Sequence, residues 1–387
     1  MKRTDKLAVY VADGAEKRLV GSLALYQNRF AAFAYSDSWL SDGFSLSPFS
    51  LPLQKKVFVP DWEPFGGIHG IFNDSLPDGW GRLLVDRMLL KNGIQPETLS
   101  VLDRLAIVGS GGMGALTYEP EHVLTDAPEL PADYDALAAE CKALFQAGIT
   151  GSVQSPQSDL DAVFAAGGSS GGARPKLFSR IGGEDWIIKF PSSQDPAEIG
   201  LQEYEYSQCA QRCGIAVSEA RLFPSRQCAG YFGTKRFDRT GTGGRIHMAS
   251  ASALLETSHR IPNLDYNTLL LLTLQLTKSA AEVEKLFRLM CFNVFAHNRD
   301  DHSKNFTWLY DERTGSWRLS PAYDLTYSNS IGGEHATTVD GEGRAPTIAH
   351  ILAVAEKNGI NRASARRIAE EVQTAVHEIL EKWLCAR

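Results

Sequence analysis

The feature that most constrains this chain is a polar run wedged between an apolar helix and a hairpin. Residues 281–297 carry Val283, Leu286, Phe287, Met290, Val294 and Phe295 on one face, the period of a buried helix. His297-Asn298-Arg299-Asp300-Asp301-His302-Ser303-Lys304-Asn305 follows at once, and residues 306–319 then read as a hairpin turning at Arg313-Thr314-Gly315. Pro321-Ala322-Tyr323-Asp324 comes directly after its second strand. A run rich in Asp, Ser and Asn can simply hydrogen-bond its own backbone. The order of its members, with an Asp, an Asn five residues on and another Asp across a short hairpin, points instead to phosphoryl transfer.

That chemistry asks little of a protein. One carboxylate orients the attacking hydroxyl and accepts its proton, while an amide oxygen and a second carboxylate hold magnesium against the phosphates. Asp300 is the candidate base, with Asp301 as its competitor, and Asn305 and Asp324 are the candidate magnesium ligands. A cation for the remaining phosphates and a carboxylate to position it are also needed. Trp186-Ile187-Ile188-Lys189-Phe190 ends an apolar strand in Lys189, and Glu203, early in the next helix, is its candidate partner. A strand-end lysine can equally be a solvated one.

The stretch Gly167-Gly168-Ser169-Ser170-Gly171-Gly172-Ala173-Arg174-Pro175-Lys176 is the third element. Glycines let backbone N–H groups approach phosphate oxygens closely. It lacks the G-x-x-x-x-G-K-[ST] pattern of a Walker loop, and Gly/Ser runs also serve as plain linkers. A strand follows directly and the lysine strand comes next, an order that suits a nucleotide-covering loop.

Around these motifs, residues 7–11 and 18–25 read as strands joined at Asp13-Gly14. Residues 79–92 read as a helix stopped by Gly93, 121–131 as a linker, and 132–147 as a further helix. Strands are expected at 175–180 and 185–190, then a helix at 196–213 capped by Asp195 and ended by Gly214, then strands at 216–222 and 230–237. Helices at 268–277, 347–358 and 362–384 complete the chain. A small mixed lobe followed by a helical lobe is how kinase-like enzymes are built.

Composition narrows the partners. A net charge of -7 over 387 residues argues against broad non-specific nucleic-acid binding. The six cysteines form no C-x-x-C pair, so reduced thiols are expected rather than a disulfide framework or a zinc site. His69, His247, His259 and His335 show no metal-ligand spacing. No long apolar run follows the basic start, and residues 269–276 are too short to span a bilayer, so a cytoplasmic protein is expected.

Taken in order, these residues resemble the HipA family of bacterial toxin-antitoxin kinases, along nearly the whole chain. Asn73-Asp74-Ser75-Leu76-Pro77-Asp78-Gly79-Trp80-Gly81 and Gly112-Met113-Gly114-Ala115-Leu116 look like that family's amino-terminal subdomain. The serine loop, Lys235-Arg236-Phe237-Asp238-Arg239, and the two motifs around Asp300 and Asp324 match its kinase core. The resemblance implies an α+β, kinase-like two-lobed fold, closer to the phosphatidylinositol 3/4-kinases than to typical eukaryotic protein kinases. It would comprise a β-rich amino-terminal subdomain (1–120), a kinase amino-terminal lobe (132–240) and a mainly helical carboxy-terminal lobe (241–387).

It further implies an ATP- and magnesium-dependent serine/threonine protein kinase, with Asp300 as base, Asn305 and Asp324 on the metal and Lys189 on phosphate. Lys235 and Phe237 would lie at the adenine through their backbone, and Gly171, Gly172, His302 and Lys304 around the nucleotide. Ser169, or else Ser170, would be autophosphorylated, expelling the loop and ending activity. The implied partner is a HipB-like helix-turn-helix antitoxin, through which alone DNA is touched, and the implied substrate a translation component such as an aminoacyl-tRNA synthetase. Two other readings stay open at this point: a kinase of a lipid or small molecule, whose D-x-H-x-x-N order is shared, and a kinase-fold corepressor that acts mainly by binding.

Overall fold

The computed structural model describes residues 2–14, 16–125, 133–149, 160–168, 171–241 and 243–385. They form two compact units. One holds Met1–Leu201 and Arg221–Met248, the other Gln202–Ala220 and Ala249–Arg387.

The first unit opens with a meander. Strands β1 (Lys6–Asp13), β2 (Glu16–Tyr26) and β3 (Phe30–Tyr35) pair antiparallel, with Leu7 opposite Leu23 and Leu23 opposite Phe33. Helix α1 (Asp37–Asp42) is capped by Ser36, whose hydroxyl accepts the Trp39 N–H. Strand β4 (Val57–Phe58), helices α2 (Gly70–Asn73), α3 (Gly79–Lys91) and α4 (Val101–Val108), and strand β5 (Leu116–Glu119) follow. The sheet order is β4-β3-β2-β1-β5. Helix α4 is held at its start by a reciprocal capping box between Ser100 and Asp103, a device that satisfies two otherwise orphaned donors. The strand-rich character expected of this region is present, with more helix than its Gly- and Pro-punctuated sequence suggests.

Helices α5 (Tyr134–Ile149) and α6 (Leu160–Gly167) precede a second sheet. Its strands are β6 (Lys176–Ile181), β7 (Glu184–Lys189), β8 (Ala220–Phe223) and β9 (Tyr231–Lys235), in the order β6-β7-β9-β8. Helix α6 was not expected from the sequence, where the glycines that follow it dominate the reading. One apolar core joins α3, α5 and α6 to this sheet: Trp80, Leu84, Leu137, Cys141, Leu144, Val163, Leu177, Ile188, Phe190 and Tyr231 are all almost fully buried. Their removal from water is the main driving force for this part of the fold.

Helix α7 (Ile199–Arg212) begins three residues later than Asp195 and Pro196 lead one to expect. The Asp195 carboxylate does not cap it. It accepts from the Ser192 N–H and hydroxyl and pairs with Arg174. Gly214, at φ +75°, does end the helix.

Strand β10 (His247–Ser250), whose first two residues belong to the first unit, leads into α8 (Ala251–Leu254); in the second unit β11 (Leu264–Asp265) leads into α9 (Tyr266–Thr277) and α10 (Ala280–Phe295). The hairpin β12 (Thr307–Asp311) and β13 (Ser316–Leu319), the short β14 (Thr337–Thr338), and helices α11 (Ile348–Lys357) and α12 (Arg362–Cys385) complete it. Helix α12 buries Ala365, Ile368, Ala369, Val372, Val376 and Leu380, an i, i+3, i+4 stripe, while α10 buries Leu286, Phe287, Met290 and Phe292. Among the described residues no helix is long and apolar enough to cross a membrane.

Candidate active site

The polar run after α10 is held by a buried network centred on Asp301. Its side chain is fully buried. One carboxylate oxygen accepts from the Tyr266 hydroxyl (2.7 Å) and bonds His335 Nδ1 (2.9 Å), while the other accepts the Thr337 N–H (3.2 Å). The Thr337 hydroxyl donates to the Asp301 carbonyl at 2.6 Å. The network continues from Tyr266 to the Asn293 amide (2.9 Å) and from Asn293 to the Asn298 amide (2.9 Å). A carboxylate so buried has to be hydrogen-bonded this fully to be tolerated.

Asp300, one residue earlier, is the opposite case, with its side chain 61 % exposed. Its carbonyl accepts the Asn305 side-chain N–H at 2.7 Å, which leaves the Asn305 amide oxygen as that residue's ligand atom. His302 caps the single 3-10 turn Ser303–Asn305, its Nδ1 accepting the Lys304 N–H at 3.2 Å. Because Nδ1 is an acceptor, the neutral ring carries its proton on Nε2, which lies 3.9 Å from the Asp300 carboxylate. That separation is beyond hydrogen-bond range but within reach of a small rotation.

Tyr323 joins the two motifs. Its hydroxyl donates to the Lys304 carbonyl and bonds the Thr307 hydroxyl at 2.6 Å. Lys304 precedes Asn305 and Tyr323 precedes Asp324, so this bond links the segments that carry both candidate metal ligands. Asp324 is half-buried and sits at φ +52°, a left-handed conformation that costs a non-glycine residue about 1 kcal/mol or more. The Ala322 N–H fixes the same segment to the Ala216 carbonyl at 2.8 Å.

In the first unit, Lys189 is buried at the end of β7, its ammonium 5.5 Å from the centre of the Phe232 ring. Its partner across the β6–β7 ladder is Lys176, also buried, and Leu177 pairs with Ile188 beside them. Residues directly opposite share one face of a sheet, and like charges there repel. The register therefore brings two largely buried lysines to the same end of the β6–β7 pair. Lys176 closes the glycine-rich motif, yet the sequence alone singled out only Lys189. The register that pairs the two lysines was hidden until the strands were aligned.

Ser169 and Ser170, the expected autophosphorylation sites, lie outside the described residues. Gly171 and Gly172 are exposed, and the Lys176 ammonium lies under Gly172. Glu203, the expected partner of Lys189, is buried on α7 and belongs to the second unit. Lys235 forms an ion pair with Glu184, and Phe237 is half-buried.

The Arg236-Phe237-Asp238-Arg239 side chains have a structural task that the sequence did not disclose. Asp238 is fully buried, chelated by Arg236 (2.9 and 2.8 Å) and paired with Arg239 (2.6 Å). It also accepts the Gly114 N–H at 2.7 Å, and the two arginines bond the Gly112 and Gly114 carbonyls. Burial alone would raise the Asp238 pKa. The attraction of Arg236, then of Arg239, and the Gly114 N–H outweigh it and hold the carboxyl at about 2. The Gly112-Met113-Gly114 and Arg236–Arg239 motifs are therefore two halves of one buried ion cluster.

Comparison with known proteins agrees with this architecture. The class is the kinase-like two-lobed α+β fold. The structure of HipA from Shewanella oneidensis MR-1, solved with HipB and operator DNA, superposes with a TM-score of 0.67 at 18 % identity, covering 97 % of this chain and 90 % of that one. Residues 168–380 match the HipA-like C-terminal domain and residues 9–119 the HipA N-terminal domain, so the chain belongs to the HipA family. Two Sinorhizobium fredii proteins, named “Putative kinase Y4mE” and “Putative kinase Y4dM”, are 26 % and 27 % identical to it. They align over 80 % and 79 % of this chain, and over 74 % of each relative.

Proposed function

We propose that this protein is an ATP-dependent serine/threonine protein kinase in which Asp300 is the catalytic base. The observation that carries the reading is the division of labour between two adjacent carboxylates. Asp301 is buried and fully engaged, whereas Asp300 is exposed and held by its backbone to Asn305. A base has to reach the proton it accepts, and only Asp300 is accessible to a hydroxyl.

In this reading a substrate serine or threonine hydroxyl attacks the γ-phosphorus of ATP. The bond to the bridging oxygen breaks, ADP departs and the hydroxyl proton passes to the Asp300 carboxylate. Asn305 Oδ1 and the Asp324 carboxylate would hold magnesium, a two-ligand protein set of the kind this ion uses when phosphate oxygens and water complete its shell. Bound there, magnesium supplies charge neutralisation along the phosphates. Lys189 and Lys176 neutralise phosphate oxygens, the backbone of Lys235 to Phe237 contacts the adenine, and His302 Nε2–H steadies Asp300.

The reading extends to regulation. Ser169, or else Ser170, takes the autophosphorylation, and a HipB-like helix-turn-helix protein neutralises the kinase in the cytoplasm. The solved HipA relative is itself in complex with HipB and operator DNA. A translation component such as an aminoacyl-tRNA synthetase is the proposed target. The test is phosphate incorporation from labelled ATP, followed by phosphoproteomics after brief expression of wild type and Asp300→Ala. Serine or threonine phosphate is expected in the wild type alone. Equal incorporation in both would reject the assignment, and label recovered only in lipid or a small molecule would move the substrate class.

A further inference from the structure

We propose that the first turn of α3 is the seat of the glycine-rich loop, with Asp78 a positioning residue for the nucleotide. The inference rests on the kinase reading above and adds a role for residues 78–80, which lie outside the kinase motifs.

Asp78 occupies the N-cap position of α3, where an aspartate ordinarily accepts an N–H of its own helix. Its side chain makes no such capping bond. It accepts instead the backbone N–H of Gly172, 94 residues further along. The reciprocal bond runs from the Trp80 N–H to the Gly172 carbonyl at 2.9 Å. Gly172 is thus gripped on both its backbone groups by one turn of helix. The Trp80 indole then donates to the Lys176 carbonyl at 3.1 Å, so the same turn holds the first residue of β6.

Gly79, between the two gripping residues, has φ +42°, and a Cβ there would lie 2.4 Å from the Gly172 carbonyl oxygen. The two backbones touch, and only glycine permits it. Trp80 is almost fully buried in the core with Leu177 and Ile188, which makes the seat rigid. Gly171, Gly172 and Ala173 are exposed, so these bonds supply much of what orders this part of the loop.

A loop whose N–H groups are to meet phosphate gains affinity from being ordered beforehand. Losing a charge-assisted hydrogen bond at such a point should weaken ATP binding about tenfold. The experiment combines hydrogen exchange of the segment 171–176 without nucleotide and steady-state ATP kinetics. The variants are Asp78→Ala, Asp78→Asn and Gly79→Ala. Asp78→Ala should speed exchange at Gly172 and raise the KM for ATP about tenfold, with kcat within about twofold. Asp78→Asn, which keeps an oxygen acceptor, should recover most of both. Gly79→Ala attacks the contact sterically and should move exchange and KM in the same direction.

Wild-type exchange and KM in both Asp78→Ala and Gly79→Ala would overturn the seat, as would equal loss of kcat and KM effects in Asp78→Asn and Asp78→Ala. A wild-type protein that neither binds nor consumes ATP would overturn the kinase reading and the nucleotide half of this inference. The exchange measurement would still decide whether α3 holds the loop.

Discussion

Residues 171–175 of the glycine-rich segment and the loop around Asp300 are both irregular, and the proposed function gives both a part in the same chemistry, but they are anchored in opposite ways. The first is exposed at residues 171–173 and gripped at Gly172 by the first turn of α3. The second is pinned from within, by a buried carboxylate that bonds groups from α9 and from the segment after Asp324. Grip by a few exposed bonds leaves a low opening free energy, whereas a saturated buried network opens only when the surrounding fold does. In the proposed function the first kind of anchoring suits a loop that admits and releases a nucleotide. The second suits a base that has to stand still.

This contrast can be broken at several points. Asp300→Ala should reduce phosphate transfer by about a thousandfold, within the range for a general base, and leave the denaturation midpoint within about 0.5 kcal/mol of wild type. Asp301→Ala should do the reverse. It strands the Tyr266 hydroxyl, the His335 ring and the Thr337 N–H, and should cost about 3 kcal/mol or more of stability in urea titration. If the two variants lost activity and stability in equal measure, the division of labour between the carboxylates would not hold.

Acid sharpens the comparison from the side of the first unit. His247 is buried against the Leu46 carbonyl, and burial pushes its pKa down to about 4. Between its ordinary value near 6.5 and about 4, the unfolded chain takes up a proton that the native state refuses. Stability is therefore full above pH 6.5 and falls as pH drops through this window, by about 3 kcal/mol in all. Thermal melts from pH 7 to 4 should show the loss, and His247→Gln should flatten it. The smallest effect belongs to Tyr323→Phe. Removing its hydroxyl frees the Lys304 carbonyl and the Thr307 hydroxyl, and should lower stability by about 1 kcal/mol while raising the magnesium concentration needed for activity.

Much of the fold was legible beforehand because the signals are local. The stripe on α10, the turn at residues 313–315 and the stop at Gly214 each depend on neighbours a few residues apart. Helix α6 was missed because its eight residues lead straight into glycines, and the Asp195 cap was misplaced because a carboxylate three residues from a serine can close on that serine instead. The ion cluster of Arg236, Asp238 and Arg239 was read only as a motif, since nothing nearby in sequence shows that its acceptors are Gly112 and Gly114.

The amino-acid order alone determined which chemistry is available: an aspartate, an asparagine and a second aspartate at spacings suited to a metal and a proton, and a lysine at a strand's end. It put Asp300 forward as the candidate base with Asp301 as competitor, but it could not show how differently the two are surrounded, because adjacent residues of one type have the same intrinsic chemistry. Tertiary structure set the two apart by burying the Asp301 side chain among donors from α9 and β14 and leaving that of Asp300 largely exposed. Burial and hydrogen bonding are properties of the folded surroundings, and these set what a carboxylate can do.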